Sequence, residues 1–158
     1  MYTRIMKITF IQTGGTIDKD YPAGNNNHGY SFEITTPAVK RVLEKIKILD
    51  FEYEVIECLK KDSLDITDDD RQKIKETCLN NQNDKIIITH GTDTMDQTAK
   101  FLSDITDKTI ILTGAMRPEK FTDSDADFNI GVAIGALCSL DNGIYVAMNG
   151  QVKPVASL

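Results

Sequence analysis

The sequence predicts an α/β domain: a three-layer sandwich with a mostly parallel central sheet. Three observations carry that expectation. Short apolar runs alternate with amphipathic stretches along the chain. Two of those runs, Ile86-Ile87-Ile88 and Ile110-Ile111-Leu112, are apolar at every position rather than at alternate ones. Both faces of such strands must be covered, as in a parallel sheet lying between helices. Finally, glycines and small hydroxyl residues follow two of the strand-like runs, and ligands of open parallel sheets bind outside the carboxyl ends of the strands.

The strand candidates are Lys7–Gln12, Tyr53–Leu59, Lys85–Thr89, Thr109–Thr113 and Gly143–Met148, each bounded by glycine, aspartate or asparagine. Helices fill the intervals. Thr36-Pro37 opens one, with threonine as cap, proline in the first turn and Val39, Val42, Leu43 and Ile46 at helical spacing. Thr67-Asp68-Asp69-Asp70 opens a second, where a hydroxyl caps and the acids favour the positive end of the helix dipole; it runs to about Asn81. Two more span Asp93 to Ile105 and Asp125 to Leu140. Asp18–Tyr30 breaks the alternation. Directly after a candidate site strand, such a polar segment is either a mobile lid or a plain surface hairpin.

Bulk properties narrow the class. At 158 residues the chain suits one domain with a substantial core rather than two, so a single domain is expected over 1–158. A net charge of −6 argues against non-specific nucleic-acid binding, which needs a basic face. Cys58, Cys78 and Cys138 are odd in number and widely spaced, which favours reduced thiols over a disulfide framework or a zinc site. The stretch after Met1–Lys7 is interrupted by Thr9, Gln12 and glycines, so neither a signal peptide nor a membrane span is read. A cytoplasmic location is the expectation.

The chemistry concentrates at two strand ends. Thr13-Gly14-Gly15-Thr16 follows Ile8-Thr9-Phe10-Ile11, and Thr89-His90-Gly91-Thr92-Asp93-Thr94 follows Lys85–Ile88. Hydroxyls at strand ends beside glycine amides, with a carboxylate at the second site, suit amide or acyl transfer. Threonine is a poor nucleophile at neutral pH and needs a neighbouring base and oxyanion donors. Taken singly, each threonine could serve only to form a turn or cap a helix, and Asp93 could cap the helix after it. A phosphate cradle is disfavoured, because neither a third glycine nor a Lys-Ser/Thr pair follows.

Thr13-Gly14-Gly15-Thr16-Ile17, Thr89-His90-Gly91-Thr92-Asp93-Thr94-Met95 and Leu112-Thr113-Gly114-Ala115-Met116-Arg117-Pro118 occur in this order. Together they resemble the bacterial-type L-asparaginase family, over about Lys7 to Gly150. Asp62-Ser63-Leu64-Asp65-Ile66-Thr67 is similar to the family's substrate-binding loop, and Ala126-Asp127-Phe128-Asn129 to its helix opening after the arginine-proline turn. The resemblance implies a fold like the N-terminal domain of L-asparaginases. It also implies hydrolysis of L-asparagine, or a related small amide, to aspartate and ammonia.

By the same resemblance Thr13 matches the nucleophile that forms an acyl-enzyme. Thr92 matches the second essential threonine, Asp93 the residue that binds the substrate α-amino group, and Ser63 the holder of the α-carboxylate. Gly14 and Gly91 flank the substrate, and the amides of Gly14 and Thr92 are candidate oxyanion donors. Tyr21 or Tyr30 matches the flexible-loop tyrosine, with Tyr21 favoured. His90 is expected to be a structural neighbour, and Arg117 to anchor its turn. No metal or organic cofactor is implied. The chain is read as a short form without the family's C-terminal domain, and a homodimer or higher homo-oligomer is expected. Leu64 stands where the family often has a polar amino-group ligand. Lys153 is the only lysine near the family's catalytic lysine, in a different register. A catalytically weak amino-acid-binding or regulatory domain is the alternative.

Overall fold

The structure, a computed structural model, describes residues 5–21 and 32–158. In chain order the elements are β1 (Met6–Gly14), β2 (Lys19–Asp20), β3 (Glu33–Ile34), α1 (Ala38–Glu44), β4 (Phe51–Lys61), α2 (Asp68–Asn80), β5 (Lys85–Thr89), α3 (Met95–Phe101), β6 (Thr109–Thr113), α4 (Ala126–Leu137), β7 (Gly143–Met148) and β8 (Gln151–Pro154). The main sheet has the order β4-β1-β5-β6-β7-β8. Its first five strands run parallel, and β8 pairs antiparallel with β7. The predicted parallel sheet is present; β8 and the short β2–β3 pair are additions to it. Among the described residues no helix is long and apolar enough to cross a membrane.

The period-2 geometry of a strand explains the all-apolar runs. Ile8, Phe10, Ile87, Ile111 and Ala147 face one side and pack with α1 and α4. Ile11, Ile86, Ile88, Ile110 and Leu112 face the other and pack with α2 and α3. Each strand therefore contributes to two cores, which is why alternation is absent from the sequence.

Helix starts follow tertiary demands more than local ones. α2 behaves as its sequence predicts: the Thr67 hydroxyl accepts from the Asp70 amide at 3.2 Å, and the Asp70 carboxylate accepts from the Thr67 amide at 2.9 Å. This is a reciprocal capping box. α1 departs from expectation. Its first amide, Ala38 N, donates to Asp18 Oδ1 at 2.7 Å, while the Thr36 hydroxyl accepts from Arg41 Nη1 at 2.9 Å. Ile46 lies beyond the end of the helix and is 45% exposed. α3 is shorter than Asp93–Ile105, because Thr94 leaves helical geometry to donate its hydroxyl to the Ser63 carbonyl at 2.8 Å. α4 ends at Leu137, where tighter turn bonds to Gly135 and Ala136 replace helical ones.

The strand order places the functional loops. β4 lies on one side of β1 and all later strands on the other, so the connections reverse direction between β1 and β5. Such a switch point opens a crevice at the carboxyl ends of the strands. There Gly15 adopts φ +84°, a conformation that L side chains rarely tolerate. A Cβ at Gly15 would stand 2.4 Å from the backbone of Gly91. The two loops therefore meet backbone to backbone.

Asp18 ties the segment after β1 to α1. Its carbonyl accepts from Thr35 N at 2.9 Å and Thr35 Oγ1 at 3.0 Å, and the neighbouring Gln12 donates Nε2 to the Thr35 carbonyl at 2.9 Å. The carboxyl group is fully buried, and burial pushes its pKa up to about 6 despite the Ala38 amide. A raised acid pKa means that the folded protein holds the proton more tightly than the unfolded chain. The associated stability is present below pH 3.8 and is lost as pH rises through about 6. Asp18→Asn should remove that loss. Its stability relative to wild type, followed by urea unfolding, should grow by about 2 kcal/mol between pH 4 and pH 7. A difference that does not change with pH would contradict this.

Candidate active site

Thr13 occupies the penultimate position of β1, where the register with β4 slips between Gln12 and Gly14. Irregularities of this kind re-aim side chains beside functional sites. The sequence suggests an open hydroxyl; the structure shows a different state. Thr13 is fully buried, and its Oγ1 donates to the Thr89 carbonyl at 2.7 Å. That carbonyl lies at the end of β5, so the bond joins the two strands of the switch point.

Ser63 enters the same place from the short turn after β4. It is buried, and a Cβ on Gly91 would lie 2.7 Å from the Ser63 Cβ and 2.8 Å from its Oγ. Gly91 is thus pressed between Gly15 and Ser63, with no space for a side chain. The Ser63 turn is held from both sides. Thr94 Oγ1 donates to its carbonyl, and Lys19 pairs with Asp62 at 2.7 Å. The structure therefore brings together Thr13, Gly14, Gly15, Ser63 and Gly91.

The remaining predicted residues ring this cluster. Thr92 is half-buried and opens onto a cavity of about 270 Å³ shared with Asp96, Met116, Asn149 and Lys153. Asp93 is exposed, and it does not cap α3. Tyr21 is also exposed, with its ring 4.2 Å from that of Phe32. Of the segment Asp18–Tyr30 expected as a lid or hairpin, residues 18–21 are described, with Asp18 buried and Lys19–Asp20 forming β2; Tyr30 and the rest lie outside the described residues. Leu64 is 74% exposed beside Ser63. Arg117 acts as the expected turn anchor: its guanidinium pairs with Asp123, and the amides of Met116 and Arg117 donate to the Asp125 carboxylate.

His90 is fully buried, with Nδ1 2.7 Å from the Gly91 carbonyl and Nε2 2.8 Å from Thr98 Oγ1. Burial drives its pKa down to about 4, so the ring is neutral at pH 7 and serves as a hydrogen-bonding strut. Among the described residues no group of three or more His, Cys, Asp or Glu side chains is placed to hold a metal ion.

Three further placements around the cluster depend on tertiary contacts that the sequence pattern does not show. Asn129 is buried and donates Nδ2 to the Gly114 carbonyl and the Asp125 carboxylate, while its Oδ1 accepts from Asn149 N. It thereby links the turn after β6, the start of α4 and the β7–β8 hairpin. An asparagine inside an otherwise apolar helix stretch was the available signal. Asp18, the second, is an acid just after a buried isoleucine. The third is the placement of Lys153, which depends on the hairpin and has no local signature.

The chain matches the model of the asparaginase N-terminal domain over residues 7–157. The glutaminase-asparaginase of Acinetobacter glutaminasificans is 29% identical over 155 residues, covering 92% of this chain and 46% of that protein. A glutamyl-tRNA(Gln) amidotransferase polypeptide of Methanococcus vannielii is 32% identical over 156 residues, covering 94% of this chain and 35% of that one. The thermostable L-asparaginase of Thermococcus kodakarensis superposes with a TM-score of 0.82 at 26% identity, over 95% of this chain and 46% of its own. The chain thus spans less than half the length of these relatives. A family match over nearly the whole chain places it in the asparaginase family.

Proposed function

We propose that this domain hydrolyses the side-chain amide of L-asparagine, or of a related small amide, through an acyl-enzyme on Thr13. The observation that carries the reading is the convergence of Thr13, Gly14, Gly15, Ser63 and Gly91 at the sheet's switch point. Before reaction, Thr13 Oγ1 must swing from the Thr89 carbonyl toward the substrate. It then attacks the amide carbon, the C–N bond breaks, and the nitrogen leaves as ammonia after gaining a proton. Water hydrolyses the resulting ester and returns the proton to Thr13. The amides of Gly14 and Thr92 donate to the developing oxyanion. Ser63 holds the α-carboxylate, and the exposed Asp93 meets the α-amino group. A zwitterion needs that pairing of one anion with neutral donors. Tyr21 closes over the substrate, and neither a metal nor an organic cofactor takes part.

Thr92 requires a base on its other side. Among the described residues Lys153 is the only lysine lining the cavity onto which Thr92 opens, and we assign it that role. The engagement of the Thr13 hydroxyl with a backbone carbonyl favours a second reading, in which the domain binds an amino acid without turnover. The relatives are named as a glutaminase-asparaginase and a glutamyl-tRNA(Gln) amidotransferase polypeptide, so the substrate is assigned by class. We also propose that the domain is a homodimer located in the cytoplasm, with the open crevice completed by the second copy.

Ammonia release from L-asparagine and L-glutamine distinguishes the readings. Wild type should turn over one of them, and Thr13→Ala should abolish turnover. Lys153→Met should lower kcat by about 10²–10⁴ with little change in KM, as for loss of a general base. Amino-acid binding without turnover would establish the second reading, and an unchanged kcat in Lys153→Met would remove Lys153 from the mechanism. Sedimentation at micromolar concentration should report a dimer; an active monomer would contradict the shared crevice.

A further inference from the structure

Gly91 poses a mechanical problem. Packing against Gly15 and Ser63 excludes a side chain there, and a glycine leaves its peptide planes freer to rotate than any other residue does. Yet the plane that follows Gly91 carries the Thr92 N–H. A peptide unit is planar and trans, so its C=O and N–H point in opposite directions. Whatever fixes the Gly91 carbonyl therefore fixes the aim of the Thr92 amide.

His90 fixes it. A carbonyl can only accept, so the 2.7 Å contact requires the proton on Nδ1. The neutral ring then has a lone pair at Nε2, which accepts from Thr98 Oγ1 at 2.8 Å. The opposite tautomer would set two lone pairs against each other at the Gly91 carbonyl. The same tautomer is demanded from the other side of the ring. Arg71 Nε donates to Thr98 Oγ1 at 3.2 Å and cannot accept, so the single Thr98 proton is left for His90. Arg71 is 7% exposed and is held in turn by Asp68 at 3.0 Å and Gln97 at 3.4 Å. Every donor in this chain points the same way, from α2 through α3 to the end of β5.

We propose that Arg71 and Thr98 are positioning residues that hold His90 in its Nδ1–H tautomer, and that His90 thereby locks the Gly91–Thr92 peptide plane with the Thr92 N–H aimed at the reacting oxygen of the substrate. The last step rests on the amide-hydrolase reading above; the tautomer and the locked plane do not. Neither residue touches the substrate, and each acts only through the one before it. The arrangement reconciles two demands at one position. The crevice needs a glycine for close packing, while the oxyanion donor needs a plane that does not rotate.

The chain has two histidines, His28 and His90, so the His90 ring can be assigned by comparison with His28→Gln. Long-range ¹⁵N–¹H spectra of the full chain should show protonated Nδ1 and unprotonated Nε2 at pH 7. Thr98→Val keeps the shape and removes the hydroxyl; it should weaken this preference, so that a population protonated at Nε2 appears, and shift the Thr92 amide resonance. Its kcat should fall by about tenfold or more, short of the 10²–10³ that accompanies loss of an entire oxyanion donor, with KM within a few-fold. Thr98→Ser should restore the spectrum and the rate. Arg71→Met should reproduce the tautomer change if Thr98→Val proves too unstable to study. An unchanged tautomer in both Thr98→Val and Arg71→Met would overturn the relay, whatever the rates. A wild type that binds amino acids but releases no ammonia would refute the hydrolase reading alone, and the relay would still stand or fall on the two spectra.

Discussion

Backbone contact between Gly15 and Gly91 is the constraint on which this architecture rests. It lets the ends of β1 and β5 meet with no side chains between them, and it draws the Ser63 turn against the same point. The cost is local: one glycine at positive φ and another whose peptide plane needs external support. The surrounding polar groups answer those costs. Thr13 bonds to the end of β5, Thr94 secures the Ser63 turn, and His90 braces the Gly91 carbonyl. Removing the close approach would separate the ends of β1 and β5 and the Ser63 turn.

The two buried ionisable groups beside this point oppose one another. Asp18 binds its proton more tightly in the folded state, with a pKa of about 6, so it favours folding at low pH. His90 binds its proton less tightly, with a pKa of about 4, so its contribution is complete above the unfolded value of 6.5 and is lost as pH falls toward 4. The windows overlap, and the two slopes partly cancel. An acid and a base can thus both be buried near the crevice with a limited net effect of mild acid on stability.

Much of the fold is legible in the sequence because burial on both sides of a parallel sheet writes itself as unbroken apolar runs. β5, β6 and β7 match their predicted bounds for that reason. α2 is legible because its cap is local, from Thr67 to Asp70. Other features depend on residues distant in the chain. Asp18 rather than Thr36 caps α1 across 20 positions, and Thr94 ends the predicted start of α3 by reaching back to Ser63. Lys153 shows the limit most clearly. Counted along the chain it falls out of register with the family's lysine. However, Asn149 and Gly150 both take positive φ, forming a tight two-residue turn that folds β8 back and sets Lys153 opposite Val146 on the wall of the Thr92 cavity. The orientation of the Thr13 hydroxyl is likewise invisible to pattern, since it depends on which acceptor the folded β5 presents.

Covalent catalysis by Thr13 is the central claim, and direct capture of the acyl intermediate tests it most sharply. Wild-type protein mixed with L-asparagine, quenched in acid within the first turnovers and digested, should yield the peptide containing Thr13 with an aspartyl group esterified to its hydroxyl. That adduct should decay as the asparagine is exhausted and free aspartate accumulates. Turnover with an unmodified Thr13 peptide, or with the adduct on another residue, would contradict the claim.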